Sequence, residues 1–344
     1  MRFLLLVQPA FLRAATDEIQ KLARQTGKSL DDFRLITGDV TCPDLGIGSE
    51  DLRVVRSDTT IIFHLAAIYD LAVSLELALQ VNLEGTRRVN QLARTAKSLN
   101  HYHYVSTCYV AGKREGVILE TELEHQFGFR NYYEQTKYLA EREVEALKTE
   151  LPVTIHRPSV VCGDSETGET SKYDGVYYLI YYLLKWPGLL SRFNIGNDEV
   201  ALNLVPVDFV VESLAALASD QNAVGKTIAL ADPQPLTTRT LFDRIAESLC
   251  GHGSAITIPP GMVYFTLMLP LSPKITGLPH YGVPYFFLKQ SYDTSESQVL
   301  LKPHGLECPA FASYVDRIVA FATNHPPGKA TSLNPPAKLS IADS

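Results

Sequence analysis

The sequence predicts an α/β fold, a doubly wound parallel sheet with helices on both faces. Two observations carry this. Short apolar runs of strand length alternate with longer stretches of helical periodicity. The runs are also apolar throughout, as strands covered on both faces must be. Strands are expected at residues 3–7, 33–36, 60–63, 102–105, 153–156 and 227–230. Helices are expected between them at 13–24, 82–98 and 132–147, and later at 176–185, 209–217, 238–249 and 311–321. Residues 162–203 and 233–310 are rich in Tyr, Pro and Gly and read as substrate-side insertions. The organisation that follows is one domain over 1–325. Its core is about 1–160 plus 200–230, with a smaller C-terminal lid and a tail at 326–344. The tail is rich in Pro, Ser and Ala and is expected to be disordered.

A chain of 344 residues, 46% of them hydrophobic, is long enough to bury a large core. The net charge of −7 and the lack of a basic stripe argue against a nucleic-acid partner. Five scattered cysteines without CxxC spacing read as reduced thiols of a cytoplasmic protein with no metal site. The apolar run at 262–271 is too short to span a membrane. It reads as a buried helix of the substrate region, with a lid that touches lipid as the alternative.

The chemistry centres on residues 104–137. The strand ending YVST places Ser106 and Thr107 at its edge, and NYYEQTK opens a helix about 26 residues later. Tyr133 and Lys137 are one helical turn apart and share a face. A tyrosine hydroxyl can pass a proton to or from a substrate oxygen, and a nearby ammonium lowers its pKa. No side chain supplies hydride, so a cofactor is required. The Tyr-x-x-x-Lys spacing also occurs at Tyr109/Lys113, Tyr181/Lys185 and Tyr285/Lys289, against roughly 0.7 matches expected by chance. Only Tyr133/Lys137 follows a hydroxyl-ended strand and opens an amphipathic helix.

Other strand ends suit a flat cofactor. Leu65, Ala66 and Ala67 close one strand with mostly small residues. Asp39 and Val40 close another, where Asp39 can accept a hydrogen bond from an adenine amino group; a turn aspartate is its alternative reading. Asn82 is either a helix N-cap or the anchor of a cofactor loop. Pro158 helps to end a strand and shape the loop through Ser159 and Val160, although Arg157-Pro158-Ser159 also reads as punctuation. His64, His103 and His156 read as structural. No Gly-rich turn follows the first strand, where a dinucleotide fold carries its phosphate loop.

Together these motifs resemble the extended short-chain dehydrogenase/reductase family, in its fatty acyl-CoA reductase or thioester reductase branch. The matching stretches are GDV, HLAAIYDL, VNLEGT, YVSTCYVAG, NYYEQTK, RPSVVCGDSETGE, LVPVDFV and ALADPQPLT, in the family's order over about residues 1–325. The resemblance implies a Rossmann-like sheet and Thr107, Tyr133 and Lys137 as the catalytic residues. It implies cofactor contacts from Gln8, Asp39, Val40, Leu65, Ala66, Ala67, Asn82, Ser106, Tyr133, Lys137, Pro158, Ser159 and Val160. Thr107 is preferred to Ser106 because it lies five residues before Gly112, as in the family pattern. The implied function is reduction of a carbonyl or fatty-acyl thioester with NADP(H) or NAD(H). NADP(H) is slightly preferred, although Gln8 stands where the family usually has an arginine suited to a 2′-phosphate. A nucleotide-sugar epimerase or dehydratase is the enzymatic alternative, and a non-catalytic fold remnant the other. The implied partners are a small acyl thioester, aldehyde or ketone, and a second copy through the Tyr133 helix; contact with a membrane is allowed, spanning is not.

The chain departs from the family at its start. About 30 residues, the size of one βα unit, do not appear before Phe3. Phe3–Val7 then corresponds to the family's second strand. The family's first strand is central, so its absence would separate its two neighbours, a gap that must close, stay open or be filled by something else.

Overall fold

The computed structural model describes residues 2–327. From residue 328 on, the tail expected to be disordered lies outside the described residues. The strands are β1 Phe3–Val7, β2 Phe33–Thr37, β3 Ile61–His64, β4 His101–Val105, β5 Gly116–Ile118, β6 Val153–Pro158, β7 Val160–Cys162, β8 Phe193–Asn194, β9 Leu204–Pro206, β10 Thr227–Leu230, β11 Ile256–Thr257 and β12 Gln290–Tyr292. The helices are α1 Leu12–Thr26, α2 Ser49–Asp58, α3 Leu75–Ala78, α4 Gly85–Thr95, α5 Tyr132–Glu145, α6 Val176–Lys185, α7 Pro187–Leu190, α8 Val207–Ala216, α9 Thr238–Cys250, α10 Pro260–Leu267, α11 Ser272–Thr276, α12 Ser295–Leu301 and α13 Val315–Asn324. All six expected strands are present. The α/β class and the parallel pairing are as the apolar runs predicted.

The chain divides into two compact units. The first comprises residues 1–114, 120–157 and 216–228. Its four-stranded sheet has the order β10-β6-β4-β3, with β3, β4 and β6 mutually parallel. β4 and β6 are buried along nearly their whole length, and Tyr102, Tyr104, Val153 and Ile155 form the core with Val89, Ala93, Ala140 and Val144 of α4 and α5. β1 and β2 pair in parallel, from Phe3 opposite Phe33 to Val7 opposite Thr37. They form a sheet of their own, hydrogen-bonded to no strand of the other. β1 reads FLLLV and is half-buried, and Phe63 on β3 is exposed.

Two helices differ from expectation and one was not expected. The helix expected to open at Asn82 starts earlier, at Leu75, where Ser74 caps it by accepting from the Leu77 N–H. Asn82 sits inside a π-helical turn, Leu79–Glu84, and is no N-cap. α2 escaped the sequence reading because its ten residues bury only Leu52 and Val55. The helix expected at 311–321 is broken by Tyr314 into a 3₁₀ turn, Phe311–Ser313, and α13.

The second unit comprises residues 115–119, 158–215 and 229 onward. It holds the segments assigned to the lid. Its core joins α6, α9 and α13 through Tyr177, Leu179, Phe242, Ile245, Ile318 and Val319. Short parallel pairs, β5 with β12, β7 with β9 and β8 with β11, tie its loops together. The run at 262–271 differs from the buried helix expected. α10 stops at Leu267 and buries only Val263 and Leu267, while Met262, Phe265, Leu269 and Leu271 are exposed. Among the described residues no helix is long and apolar enough to cross a membrane.

Candidate active site

α5 brings the central pair to the end of β4. Asn131 caps it, its side-chain oxygen accepting from the Glu134 N–H at 3.0 Å. Tyr133 on the first turn is half-buried and Lys137, one turn on, is buried. The Lys137 ammonium donates to the Tyr104 hydroxyl at 2.8 Å and to the Val105 carbonyl at 2.9 Å. It also lies 4.3 Å from the centre of the Tyr104 ring. Burial pushes the Lys137 pKa down to about 7, against the opposing pull of Glu141.

Ser106 and Thr107 follow Val105 directly, and both are buried. Their hydroxyls have different partners. Ser106 donates to the Glu141 carboxylate. Thr107 accepts from the Tyr109 N–H at 3.2 Å and so starts the turn after the strand. Five residues on, Gly112 has φ +58°, and a Cβ there would meet the Gly128 carbonyl at 2.3 Å. Glu141 is itself held by Arg157 of β6, with Nε at 2.8 Å and Nη2 at 2.5 Å from one carboxylate oxygen. Both side chains of this ion pair are buried, at 0% and 4% exposure. Sequence reading missed Glu141 and took Arg157 as strand punctuation. The available signal was the spacing of Glu141, four residues after Lys137 on the same helix face.

The strand ends named for a cofactor gather further polar groups. Gln8, after β1, donates to the Asp39 carboxylate, after β2, at 2.9 Å. Asp39 also accepts from the Thr41 N–H and hydroxyl, both at 2.7 Å. Val40 follows, with Arg88 of α4 donating to its carbonyl at 3.5 Å. Leu65 and Ala66 are exposed and Ala67 half-buried, an open shelf at the end of β3. Asn82 fastens that shelf from behind. It accepts from the Ile68 N–H at 2.8 Å and donates to the Ile68 carbonyl and the Thr136 hydroxyl, both at 3.1 Å. Of its two readings, the hydrogen bonds are those of a loop anchor. Pro158, Ser159 and Val160 lie in the second unit. There the Ser159 N–H donates to Leu230, and its hydroxyl has no partner among the described residues.

The sequence pattern of the male sterility protein family, a family of NAD-binding domains, matches residues 5–214. The chain belongs to that family. Within it the chain is an extended short-chain dehydrogenase/reductase of the fatty acyl-CoA reductase-like kind. Human fatty acyl-CoA reductase 1 is 31% identical over 218 residues, 54% of this chain and 42% of the relative. The Drosophila melanogaster fatty acyl-CoA reductase wat is 27% identical over 211 residues, covering 54% and 41%. The chain thus spans about two fifths of the length of these relatives. Among solved structures, the terminal R domain of the myxalamid PKS-NRPS pathway superposes with a TM-score of 0.76 at 24% identity, over 94% of this chain and 84% of that one. MoeE5 in complex with UDP-glucose and NAD gives 0.61 at 18%, over 93% and 98%. Both likenesses establish the fold.

Membership makes a nicotinamide cofactor the group to test against the residues present. Two of its ends find matching chemistry: the Gln8–Asp39 pair and open shelf for an adenosine, and the Lys137 ammonium for a ribose.

The other three Tyr-x-x-x-Lys copies have structural roles or separate partners in this member of the family. Lys185 donates to the Ile275 carbonyl at 2.7 Å, and Lys289 pairs with Glu199 at 2.5 Å. Lys113 lies beyond the 3₁₀ turn Cys108–Ala111 that Tyr109 occupies. The strand histidines are buried and held neutral: burial lowers His64 to about 3 and His103 to about 4. The second unit contains a small apolar pocket, lined among others by Tyr178, Phe242, Val263, Leu267, Phe286 and Phe287. Those residues come from both apolar segments the sequence assigned to the lid.

Proposed function

We propose that this protein is a reductase of carbonyl or acyl-thioester substrates with Tyr133, Lys137 and Thr107 at its reacting centre. One observation carries the reading. A buried lysine is held against the carbonyl that ends β4, one helical turn from Tyr133 and two residues from Thr107. A bound nicotinamide would supply hydride to the carbonyl carbon. Tyr133 donates its proton to the carbonyl oxygen as charge builds there, and Thr107 orients that oxygen. The Lys137 ammonium stabilises the phenolate left behind. Tyr104 and Val105 fix where that ammonium points, and Glu141 favours its protonated state. A long acyl chain suits the apolar cavity of the second unit. NADP(H) keeps its slight preference over NAD(H); Gln8 offers an amide, and Arg88 a cation, on the side where a 2′-phosphate would lie.

The test is oxidation of NADPH and NADH by the purified protein with acyl-CoA, fatty aldehyde and β-keto substrates. Tyr133→Phe and Lys137→Met should each lower kcat by about 10²–10⁴. No turnover of any of these substrates with either cofactor defeats the reading. Oxidation of a UDP-sugar or its epimerisation would favour the nucleotide-sugar alternative. The non-catalytic reading is the remaining alternative. Calorimetry decides that case, since a fold remnant takes up neither NADPH nor NADH.

A further inference from the structure

Residues 248–292 contain no aspartate or glutamate, in a chain with 38 acids among 344 residues. Their basic residues are His252, Lys274, His280 and Lys289. Lys289 is taken up by Glu199, whereas Lys274 is exposed on α11. The centre of this stretch is α10, which is apolar on all sides. Val263 and Leu267, one turn apart, are buried and line the cavity. Met262, Phe265 and Leu269 continue the opposite side and are exposed, Phe265 at 67%. The Thr266 hydroxyl is turned back onto the Met262 and Val263 carbonyls at 2.9 and 3.0 Å, which leaves the Tyr264 phenol as the other hydroxyl of the helix. Leu271 and Ile275 carry the apolar surface into α11. Lys185 bonds the Ile275 carbonyl, which brings α6 alongside, and the next residue is the exposed Trp186, the only tryptophan of the chain.

A helix that is apolar on every side belongs in an apolar surround, and here half of it faces outward. From Met262 to Ile275 the one charge is Lys274. A protein interface of this size normally carries a polar rim of both signs. Aromatic and long aliphatic side chains beside lysines, with acids excluded, match instead the interfacial zone of a bilayer with anionic headgroups. We propose that α10 and α11, with Trp186 beside them, dock this protein on an anionic lipid surface, lying in the interface and not crossing it. The cavity behind α10 is then separated from the acyl layer by one helix.

The test is flotation of the full chain with phosphatidylcholine vesicles, with and without phosphatidylserine, read together with Trp186 emission. Binding is expected to be stronger on the anionic vesicles and to shift the emission to the blue. Phe265→Asp and Leu271→Asp should each weaken binding at least about tenfold, while leaving thermal unfolding unchanged because both side chains are exposed. Lys274→Glu should remove most of the added affinity for phosphatidylserine. Failure to float with either vesicle overturns the proposal, as does binding that Phe265→Asp leaves intact. Self-association that Phe265→Asp abolishes, without vesicle binding, assigns the surface to a second copy. None of these readouts depends on reductase activity.

Discussion

Glu141→Gln removes one charge from the buried network behind the reacting centre and leaves its shape. In the native protein Glu141 takes two N–H bonds from Arg157 and one O–H bond from Ser106. The Arg157 side chain is 4% exposed, so water cannot replace the lost anion. Its Nη1 also donates to the Glu120 carbonyl at 3.2 Å. Breaking a buried pair from one side costs about 3–5 kcal/mol, because the remaining charge stays desolvated. Removing both sides, as Glu141→Leu with Arg157→Met, deletes the desolvation with the attraction and should lie within about 1.5 kcal/mol of the native protein. On those figures the two single changes, Glu141→Leu and Arg157→Met, couple by at least about 4.5 kcal/mol in a double-mutant cycle followed by urea unfolding. The network also acts on Lys137, whose protonated form Glu141 favours. Glu141→Gln should therefore move the alkaline limb of a reductase pH profile to lower pH. A loss of stability under 1 kcal/mol for Glu141→Gln, or strict additivity in the cycle, would refute this account.

Three further outcomes follow. His103 is lowered to about 4 and His156 well below its ordinary value, both mainly by burial and each by the other histidines. The unfolded chain takes up these protons near pH 6.5 and the folded chain does not, so stability falls as pH drops from about 6.5 toward 4. His103 alone contributes up to about 3.4 kcal/mol of this loss, and His103→Phe should flatten the acid side of a stability–pH curve. Asn82→Ala strips the partners of the Ile68 N–H and carbonyl and should cost about 1–3 kcal/mol; amide exchange at Ile68 should accelerate while core amides of β4 stay protected. Phe242→Trp enlarges a side chain that lines the apolar pocket of the second unit, and competition with fatty-acyl ligands of graded length should show the longest losing affinity first.

Much of the fold was legible because its signals are local. Six apolar runs of strand length marked six strands, and Tyr133 and Lys137 share a helix face by spacing alone. α2 was hidden because a helix that buries only Leu52 and Val55 has little apolar period to read. The start of α3 was hidden because Ser74 caps a helix that passes through a π turn before the motif around Asn82 begins. The outward side of α10 was hidden for the opposite reason: an apolar run reads as buried whichever side it turns to solvent.

The site was legible in its actors and not in their supports, and chain distance explains the difference. Tyr104 looks like one more core aromatic of a strand, and its ring is indeed buried. Its hydroxyl nevertheless meets the ammonium of a residue 33 positions later. Arg157 looks like the end of a strand until β6 is laid beside β4, which brings it to Glu141 sixteen residues away. Asn82 meets Thr136 across 54 residues. Each of these partners is a polar group that burial obliges to find a mate, and only the sheet order decides which mate it finds. The same reasoning applies to the separated strands. β4 and β6 are central, so their polar neighbours are fully enclosed, and the proton-handling residues rest on the best-buried part of the sheet. β1 and β2 stand in a sheet of their own, half-exposed, and Gln8 and Asp39 rest on that. A perturbation of Lys137 is therefore transmitted into the core.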